Sequence, residues 1–441
     1  MDTRNTPRPG DNVTDRSDHV GTTTLPASQK DQVGAPAVDP SGQIVVPADV
    51  LARAGIMPGH DVVIEAGAEG VRIVPDALRK VYVEPTSRCN LDCAMCIRHG
   101  WQGPSGDMPL ERYRRFLDGL PVPGPDRLTL AFSGFGEPLI HPSWLDMMRE
   151  ARARQHRVEL ITNGQLVDAE AARALVDIGV EQVTVSVDGG DGAAHARIRG
   201  VGTEGATAAV RRLLDARLRT RQPLAIGVAA VATRSNVASL PALVDWATDL
   251  RLDFVSISNL VPHTEEMAGE ILWERTGWAS VFHQASWRPR LIVGRFDAEE
   301  TTRPLATAVW GRGLTYPAPA ADDAVWRNRC RFAHEGMCAV SWDGRVTPCL
   351  SLLHDHTEHI NAQARIVRAH VVGHIDEQPL AAIWRDPAYR EFRRRVRVFD
   401  FPPCFHCGGC PLTETNDEDC YRNPAPVCGE CLWAQGIVLC P

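Results

Sequence analysis

The sequence predicts an α/β protein: a central domain with a parallel sheet, a small β-rich module before it and a cysteine-rich domain after it. Two observations about the 441-residue chain carry this prediction. Strand-like and helix-like segments alternate through its middle, and its 13 cysteines form one compact group at residues 89–96 and a second group after residue 329. A hydrophobic content of 44% and a charged content of 23% are ordinary for a globular protein of two or three domains.

The N-terminal region divides into two predicted segments. Residues 1–37 are rich in Asp, Thr, Pro and Gly, and such a segment cannot bury enough surface to offset the entropy of ordering, so we expect it to be disordered. Residues 38–78 are predicted to form the β-rich module. Its expected elements are a strand at 43–47, a short helix at 48–54, and strands at 61–65 and 70–75.

The β-rich module has a family resemblance. Its pattern Ser41-Gly-Gln-Ile-Val-Val-Pro47, followed by Leu51 and Gly55-Ile-Met-Pro-Gly-His-Asp61, resembles the AbrB/SpoVT swapped-hairpin family. Members of that family are usually dimeric DNA-binding or antitoxin modules. Residues 38–80 carry four Lys/Arg against six Asp/Glu, and DNA binding depends on neutralising phosphates, so it is disfavoured. The resemblance therefore implies a homodimer or a docking role through residues 38–76.

Residues 79–320 are predicted to form the central domain. Its expected strands are 81–84, 128–133, 158–162, 182–187, 224–232 and 254–259. Helical segments separate most of these strands, at 142–156, 169–179, 205–217 and 240–250. In parallel sheets the chemistry lies beyond the carboxyl ends of the strands.

Three cysteines follow the first of these strands directly. Cys89, Cys93 and Cys96 stand in a C-x3-C-x2-C spacing. Three thiolates can hold three irons of a [4Fe-4S] cluster and leave the fourth iron open to a small molecule, whereas four thiolates would give a closed site. A zinc knuckle or a chance spacing is the alternative interpretation of the three cysteines alone.

The segment Glu84-Pro-Thr-Ser-Arg-Cys-Asn-Leu-Asp-Cys-Ala-Met-Cys96 resembles the signature of the radical S-adenosylmethionine (SAM) enzymes. The resemblance implies a partial, TIM-like (β/α)6 barrel and a [4Fe-4S] cluster whose open iron binds SAM. It also implies reductive cleavage of SAM to a 5′-deoxyadenosyl radical, with reduced ferredoxin or flavodoxin as electron donor. In such enzymes the hard chemistry belongs to the cofactor, and the protein positions it.

Further motifs of this family follow at the ends of later strands. Ser133-Gly-Phe-Gly-Glu-Pro138 resembles its glycine-rich motif, Thr162-Asn-Gly164 its polar strand tip, and Ser186-Val-Asp-Gly189 with Arg199-Gly200 its ribose-binding pattern. A tight loop after a strand and a simple Asn-Gly turn are the alternatives for the first two. The resemblance implies that SAM is bound by Gly134, Gly136, Glu137, Pro138, Asn163, Ser186, Asp188 and Arg199.

Residues 321–441 are predicted to be a cysteine-rich domain. The spacing Cys330-x13-Gly344-x4-Cys349 resembles the opening of the SPASM domain, which carries one or two auxiliary [4Fe-4S] clusters. The candidate ligands in this region are Cys330, Cys338, Cys349, Cys404, Cys407, Cys410, Cys420, Cys428, Cys431 and Cys440. Eight would saturate two clusters, so the ligand set stays open. A zinc ribbon formed by four of them is an alternative, since paired C-x2-C units are also typical of zinc sites; the four are Cys407, Cys410, Cys428 and Cys431.

One helix is predicted in the cysteine-rich domain, at residues 380–398. It carries a basic run, for which a solvated face is the expected environment and an acidic docking partner the alternative. The run consists of Arg390, Arg393, Arg394, Arg395 and Arg397.

Three stretches resemble one subgroup of the family. They are Cys93–Trp101, Ser258–Pro262 and Asp419–Pro441, and the subgroup is the maturases of tungsten-containing aldehyde ferredoxin oxidoreductases. This implies that the substrate is either the tungstopterin cofactor or a segment of the oxidoreductase polypeptide. Two other functions compete: a radical SAM/SPASM enzyme that modifies a ribosomally made peptide, and a zinc-containing AbrB-like DNA-binding regulator.

Charge and sequence pattern narrow the remaining partners. The net charge of −8 does not favour a broad nucleic-acid surface. The sequence contains no apolar stretch long enough for a membrane span and no apolar signal core at its N-terminus. Many cysteines without an export signal indicate a reducing compartment, so we expect a cytoplasmic protein whose clustered cysteines bind metal.

Overall fold

The computed structural model describes residues 41–53, 56, 62–67, 70–101, 103–121, 127–273, 282–283, 290–297, 299–310, 328–406 and 410–439. The chain divides into two compact units, Met1–Pro75 and Asp76–Pro441. The predicted disorder of residues 1–37 lies outside the described residues.

The described residues of the smaller unit form one short helix and a hairpin. They are α1 (Ala48–Arg53), β1 (Val62–Gly67) and β2 (Gly70–Pro75), and the two strands pair antiparallel. The strand expected at 43–47 is wrong: the segment has a single bridge residue, Ile44, and is otherwise irregular. The last residue of this segment, Pro47, belongs to the start of α1 instead, because its carbonyl accepts hydrogen bonds from the N–H groups of Val50 and Leu51. Dimerisation through residues 38–76 stays a prediction.

The larger unit is built on one mixed sheet, with a separate small hairpin. Its strands are β3 (Lys80–Val83), β4 (Thr129–Phe132), β5 (Arg157–Thr162), β6 (Gln182–Ser186), β7 (Ala225–Ala232), β8 (Phe254–Asn259), β9 (Phe282–His283), β10 (Arg290–Val293), β11 (Met337–Val340), β12 (Arg345–Thr347), β13 (His356–Ile360), β14 (Gln363–Val367) and β15 (Gly373–His374). The sheet order is β15-β12-β11-β3-β4-β5-β6-β7-β8-β10-β9, and β13 pairs with β14 alone. From β11 to β10 in this order, neighbouring strands are parallel.

Helices follow most of the parallel strands and cover the sheet. The helices of the larger unit are α2 (Leu110–Asp118), α3 (Trp144–Ala153), α4 (Ala169–Ile178), α5 (Gly192–Arg199), α6 (Glu204–Thr220), α7 (Leu240–Asp249), α8 (Glu265–Ala268), α9 (Arg303–Trp310), α10 (Arg331–Glu335), α11 (Leu380–Arg385) and α12 (Pro387–Val398). All four residues of β4 are buried, as expected for a parallel strand covered on both faces. The six predicted strands are present, which confirms the α/β fold with a parallel sheet.

The cysteine-rich region continues the same sheet. β11 pairs parallel with β3, with Met337 opposite Lys80, and β12 and β15 extend the sheet antiparallel. The sheet therefore crosses the boundary expected near residue 320. The helix predicted at 380–398 is two helices, because Pro387 cannot donate a backbone hydrogen bond and the Asp386 carboxylate caps α12 instead. In the described part of the chain, no helix combines the length and apolar character of a membrane span.

Candidate cluster and cofactor site

The three-cysteine loop follows the end of β3 and is held by its own turn and by α5. The Cys96 N–H donates to the Cys93 carbonyl at 2.9 Å, and the Ala94 N–H donates to the carbonyl of Ile198 at 2.8 Å. The Cys93 carbonyl also lies 3.0 Å from Nε2 of His99. The last turn of α5 thereby fixes the loop at the carboxyl end of the sheet, where the sequence predicted the chemistry.

The glycine-rich loop after β4 packs directly on the cysteine loop. A Cβ on Gly136 would lie 2.3 Å from the Thr86 carbonyl oxygen and 2.4 Å from that of Arg88. Gly134 has a φ of 156°, and a Cβ there would lie 2.5 Å from Cγ of Glu84. The Glu137 N–H then donates to the Arg88 carbonyl at 2.9 Å. Gly136 is needed because the two loops meet at backbone distance, and Gly134 because the Glu84 side chain fills the space of a Cβ.

Glu137 ties this loop to the tip of β5. Its Oε1 accepts from the Thr162 hydroxyl at 2.7 Å and its Oε2 from the Asn163 N–H at 2.7 Å. Burial raises the pKa of Glu137, although these hydrogen bonds oppose the rise. Pro138 opens a short 3-10 helix, Pro138–Ile140. The structure thus gives Glu137 a positioning role, and its predicted contact with SAM stays a prediction.

Asn163 connects the tip of β5 to the cysteine loop. Its Nδ2 donates to Oδ1 of Asn90 at 2.8 Å and lies 3.9 Å from the sulfur of Cys89. The Asn-Gly pair is therefore more than a turn, because its side chain reaches the first cysteine.

Asp188 and Arg199 form a buried ion pair beside the cysteines. Asp188 is fully buried; its Oδ2 accepts from Nε of Arg199, and its Oδ1 accepts from the Val231 N–H at 2.7 Å. Both carboxylate oxygens therefore already have protein partners. Ser186, at the end of β6, is only half-buried. The predicted ribose contact of Asp188 stays a prediction, and the structure uses this carboxylate to hold Arg199.

Arg199 supplies positive charge to the cysteine loop. Burial alone would lower the pKa of its guanidinium, but the Asp188 carboxylate and the sulfurs of Cys93 and Cys96 raise it. Burial raises the pKa of Cys93 to about 11, and Arg199 opposes this rise. Burial raises the pKa of Cys96 as well. Because iron binds thiolates, a fixed cation next to buried thiols favours the charged form that a cluster needs.

A second group of cysteines surrounds a small cavity of about 30 Å³ in the C-terminal region. Cys330, Cys349, Cys428 and Cys431 line it, among mostly apolar side chains. Burial raises the pKa of all four thiols, that of Cys330 to about 12, and the proximity of other sulfurs adds to the rise for Cys330, Cys349 and Cys428. Four mutually close thiols around one apolar cavity fit a fully ligated iron–sulfur cluster.

Four other candidate ligands that the structure describes do not line this cavity. Cys338 is fully buried in the core on β11, and Cys420 is exposed. The Cys404 sulfur lies next to Gly429, where a Cβ would meet it at 3.1 Å, and Cys410 precedes the short 3-10 helix Pro411–Glu414. The remaining two candidates, Cys407 and Cys440, lie outside the described residues.

The zinc-ribbon alternative places Cys428 and Cys431 with Cys407 and Cys410. In the structure, Cys428 and Cys431 share a cavity with Cys330 and Cys349, whereas Cys410 is not among its described lining residues and Cys407 lies outside the described residues. Among the residues that the structure describes, no group of three or more His, Cys, Asp or Glu side chains is close enough to hold a single metal ion. Thiols spread around a cavity fit a multi-iron cluster better than one zinc ion.

The sequence analysis missed a buried polar pair behind the glycine loop. Glu84 accepts from the Phe135 N–H at 2.9 Å, and its Oε2 lies 2.8 Å from Nε2 of His354. The His354 ring packs on Trp101 at 4.7 Å and on Phe135 at 4.8 Å. The C-terminal region therefore contacts both motif loops. Because 270 residues separate Glu84 from His354, no local sequence pattern reveals the pair.

Three further buried polar side chains lie near this pair. His356 lies 3.2 Å from Glu358 through Nε2 and Oε1, and its ring centroid lies 5.4 Å from that of His263. Although burial opposes it, the hydrogen bond from His356 lowers the pKa of Glu358 to about 2. Burial lowers the pKa of His263 to about 4. The alternation of buried His356 and Glu358 along β13 is a signal that sequence analysis could have used.

Comparisons with known proteins agree with this geometry. The radical SAM superfamily profile matches residues 83–228, and the profile of an iron–sulfur cluster-binding domain, SPASM, matches residues 330–411. The chain is 31% identical to a tungsten-containing aldehyde ferredoxin oxidoreductase cofactor-modifying protein of Pyrococcus furiosus, over 82% of this chain and 97% of that protein. It is 26% identical to a PqqA peptide cyclase of Gluconobacter oxydans, over 80% of this chain and 91% of that protein.

A solved structure supports the fold. Streptococcus suis SuiB, crystallised with S-adenosylmethionine, is similar to this chain with a TM-score of 0.50 and 14% identity. The similarity covers 76% of this chain and 71% of SuiB.

Proposed function

The chain belongs to the radical SAM superfamily, and we propose that it matures a tungsten cofactor or the aldehyde ferredoxin oxidoreductase that carries it. The observation that carries the proposal is the end-to-end similarity to a cofactor-modifying protein, 97% of which is matched. Membership of the superfamily sets aside the zinc-containing DNA-binding regulator. It also implies a [4Fe-4S] cluster and SAM as cofactors.

The motif loops divide the binding of these cofactors among themselves. Cys89, Cys93 and Cys96 would hold the cluster; bound there with SAM, it supplies reductive cleavage to a 5′-deoxyadenosyl radical that removes a hydrogen atom from the substrate. The Gly134 and Gly136 backbone with Glu137 is suited to the methionyl end of SAM. Ser186 remains accessible enough to reach the ribose. Arg199 compensates the charge of the thiolates, and Asp188 holds it in place.

The four-cysteine cavity is suited to a different task. Four thiols leave no iron open, so a cluster there cannot take the substrate as a ligand. We therefore assign to this site the transfer of an electron from the substrate. A second auxiliary cluster would draw on Cys404, Cys407, Cys410, Cys420 and Cys440. Reduced ferredoxin or flavodoxin is the expected electron donor to the SAM-binding cluster.

The proposed substrate site lies beyond the carboxyl ends of the strands. The proposed substrate is tungstopterin or the oxidoreductase chain, in line with the similarity to the cofactor-modifying protein. Modification of a short precursor peptide is the second candidate, because the chain is also similar to a PqqA peptide cyclase.

The proposal is tested with reconstituted enzyme, SAM and dithionite. The candidate substrates are metal-free oxidoreductase, isolated tungstopterin and short peptides encoded near the gene, each deuterated at carbon. Deuterium in 5′-deoxyadenosine is expected with the oxidoreductase or its cofactor. Transfer from a short peptide alone would contradict the proposal and favour the second candidate.

A further inference from the structure

Helix α12 presents two large polar side chains to the four-cysteine cavity. Tyr389 and Arg393 stand one helical turn apart, and both line the cavity. Each side chain is only 2% exposed. The solvated face expected for this basic run is therefore wrong at Arg393. The rest of the described lining is cysteine or apolar.

Both side chains have hydrogen-bonding atoms without a protein partner. The Tyr389 hydroxyl has none, and neither have Nε and Nη1 of Arg393. Only Nη2 of Arg393 is bonded, to Asp76 at 3.0 Å. A buried donor left unsatisfied costs on the order of 1–3 kcal/mol, more for a charged group. An acceptor for these donors is therefore expected at the cavity.

The geometry holds the two donors in place. The Arg393 guanidinium carbon lies 3.8 Å from the ring centroid of Trp384 and 4.5 Å from that of Tyr389. The Tyr389 and Trp384 rings meet edge to face at 5.5 Å. In contact with two aromatic rings and anchored to Asp76, the guanidinium has little freedom to turn towards another partner.

Cysteine sulfurs line the same cavity as these donors. Burial raises the pKa of the Tyr389 hydroxyl, and the nearby sulfurs of Cys338, Cys349 and Cys330 raise it further. Two of these sulfurs, Cys349 and Cys330, line the cavity. Hydrogen bonds to an iron–sulfur cluster are made by donors of this kind, and they help to set its reduction potential.

We propose that Tyr389 and Arg393 donate hydrogen bonds to the sulfurs of the auxiliary cluster and thereby raise its reduction potential. The inference rests on the proposed cluster in the four-cysteine cavity. Reduction adds negative charge to the cluster, and donors and a nearby cation stabilise the more negative form. The two residues would make this cluster a better electron acceptor.

The test isolates the auxiliary cluster in a Cys89→Ala, Cys93→Ala, Cys96→Ala background. Its potential is measured by redox titration followed by EPR, using the signal that a further Cys349→Ala change removes. Tyr389→Phe removes one donor and keeps the ring. Arg393→Lys keeps the positive charge and removes the planar guanidinium with its Nε and Nη1 donors. The matched control is Tyr113→Phe, which removes another fully buried, unpartnered hydroxyl whose surroundings contain Glu150 and Arg154 rather than cysteines.

We expect Tyr389→Phe and Arg393→Lys each to disfavour reduction of the cluster about tenfold. For a one-electron couple this is a negative shift of the potential by about 59 mV. Tyr113→Phe should leave it unchanged. A potential that is unchanged in Tyr389→Phe, with iron retained, overturns the inference and leaves the auxiliary cluster standing. If the three-alanine background contains no iron, the proposed auxiliary cluster is wrong. The inference about Tyr389 and Arg393 is then overturned as well.

Discussion

The two cysteine sites of this protein differ in the number of thiols, in their surroundings and in the source of positive charge. The loop after β3 offers three thiols, a close glycine-rich backbone and a cation, Arg199, fixed by a buried carboxylate. The C-terminal cavity offers four thiols within mostly apolar walls and two buried donors on α12. In the proposed assignment, one missing ligand separates a site for chemistry from a site for electron transfer.

The largest effect is expected from Cys89→Ala. Loss of one of three ligands should abolish reductive cleavage of SAM, because no neighbouring thiol in the loop can replace it. The measurement is 5′-deoxyadenosine formed from SAM and dithionite. Cleavage at the wild-type rate with a full iron content would remove the three-cysteine loop from its assigned role.

Cys349→Ala should affect the four-cysteine cavity. We expect the chain to lose about four irons, one cubane, while SAM cleavage continues without substrate turnover. Iron and sulfide analysis beside deoxyadenosine assays checks this. If Cys349→Ala abolished SAM cleavage but kept its iron, the division of labour between the two sites would be wrong.

Arg199→Met tests the cation of the first site. Its pair with Asp188 is buried, at 12% and 0% side-chain exposure. Removing one partner of such a pair lowers the free energy of unfolding by about 3–5 kcal/mol. Urea unfolding of the metal-free protein measures it. The control is Arg219→Met, which breaks an exposed pair with Asp215 and should leave stability nearly unchanged.

The buried imidazole of His263 gives a test through pH. Burial lowers its pKa from 6.5 to about 4, so the unfolded chain binds its proton first as pH falls. Stability should therefore drop between pH 6.5 and 4, by roughly 2 kcal/mol from this group at pH 5. His263→Gln should flatten this part of the profile relative to wild type. An equal slope in both proteins would show that His263 is not held neutral.

The smallest effect is expected from Cys338→Ala. This cysteine is fully buried on β11 and does not line the four-cysteine cavity. We expect unchanged iron content and a modest loss of stability from the lost sulfur contacts. Loss of four irons would make Cys338 a ligand and redraw the second site.

Local patterns were sufficient to predict the strands and the motif loops. The six predicted strands and the positions of Cys89, Gly136 and Asn163 follow from alternation and short motifs, which act over a few residues. The break before α12 could also have been predicted from the sequence, because Pro387 cannot continue a helix.

Long-range pairing was beyond sequence analysis. The parallel pairing of β11 with β3 and the bond between His354 and Glu84 join residues far apart in the chain. The burial of Arg393 is of the same kind, because its partner Asp76 lies more than 300 residues away. A basic run on a helix indicates solvent exposure, but here a distant carboxylate and aromatic rings bury one of its side chains. The local pattern contains no information about these partners.

The most direct test counts iron and sulfide and measures SAM cleavage in two anaerobically reconstituted proteins, the wild type and the triple variant Cys89→Ala, Cys93→Ala, Cys96→Ala. We expect about eight to twelve irons in the wild type, counting four per cubane, and four fewer in the variant. We expect 5′-deoxyadenosine from the wild type only. Zinc in place of iron, or SAM cleavage by the variant, would contradict the assignment of the SAM-binding cluster to the three-cysteine loop.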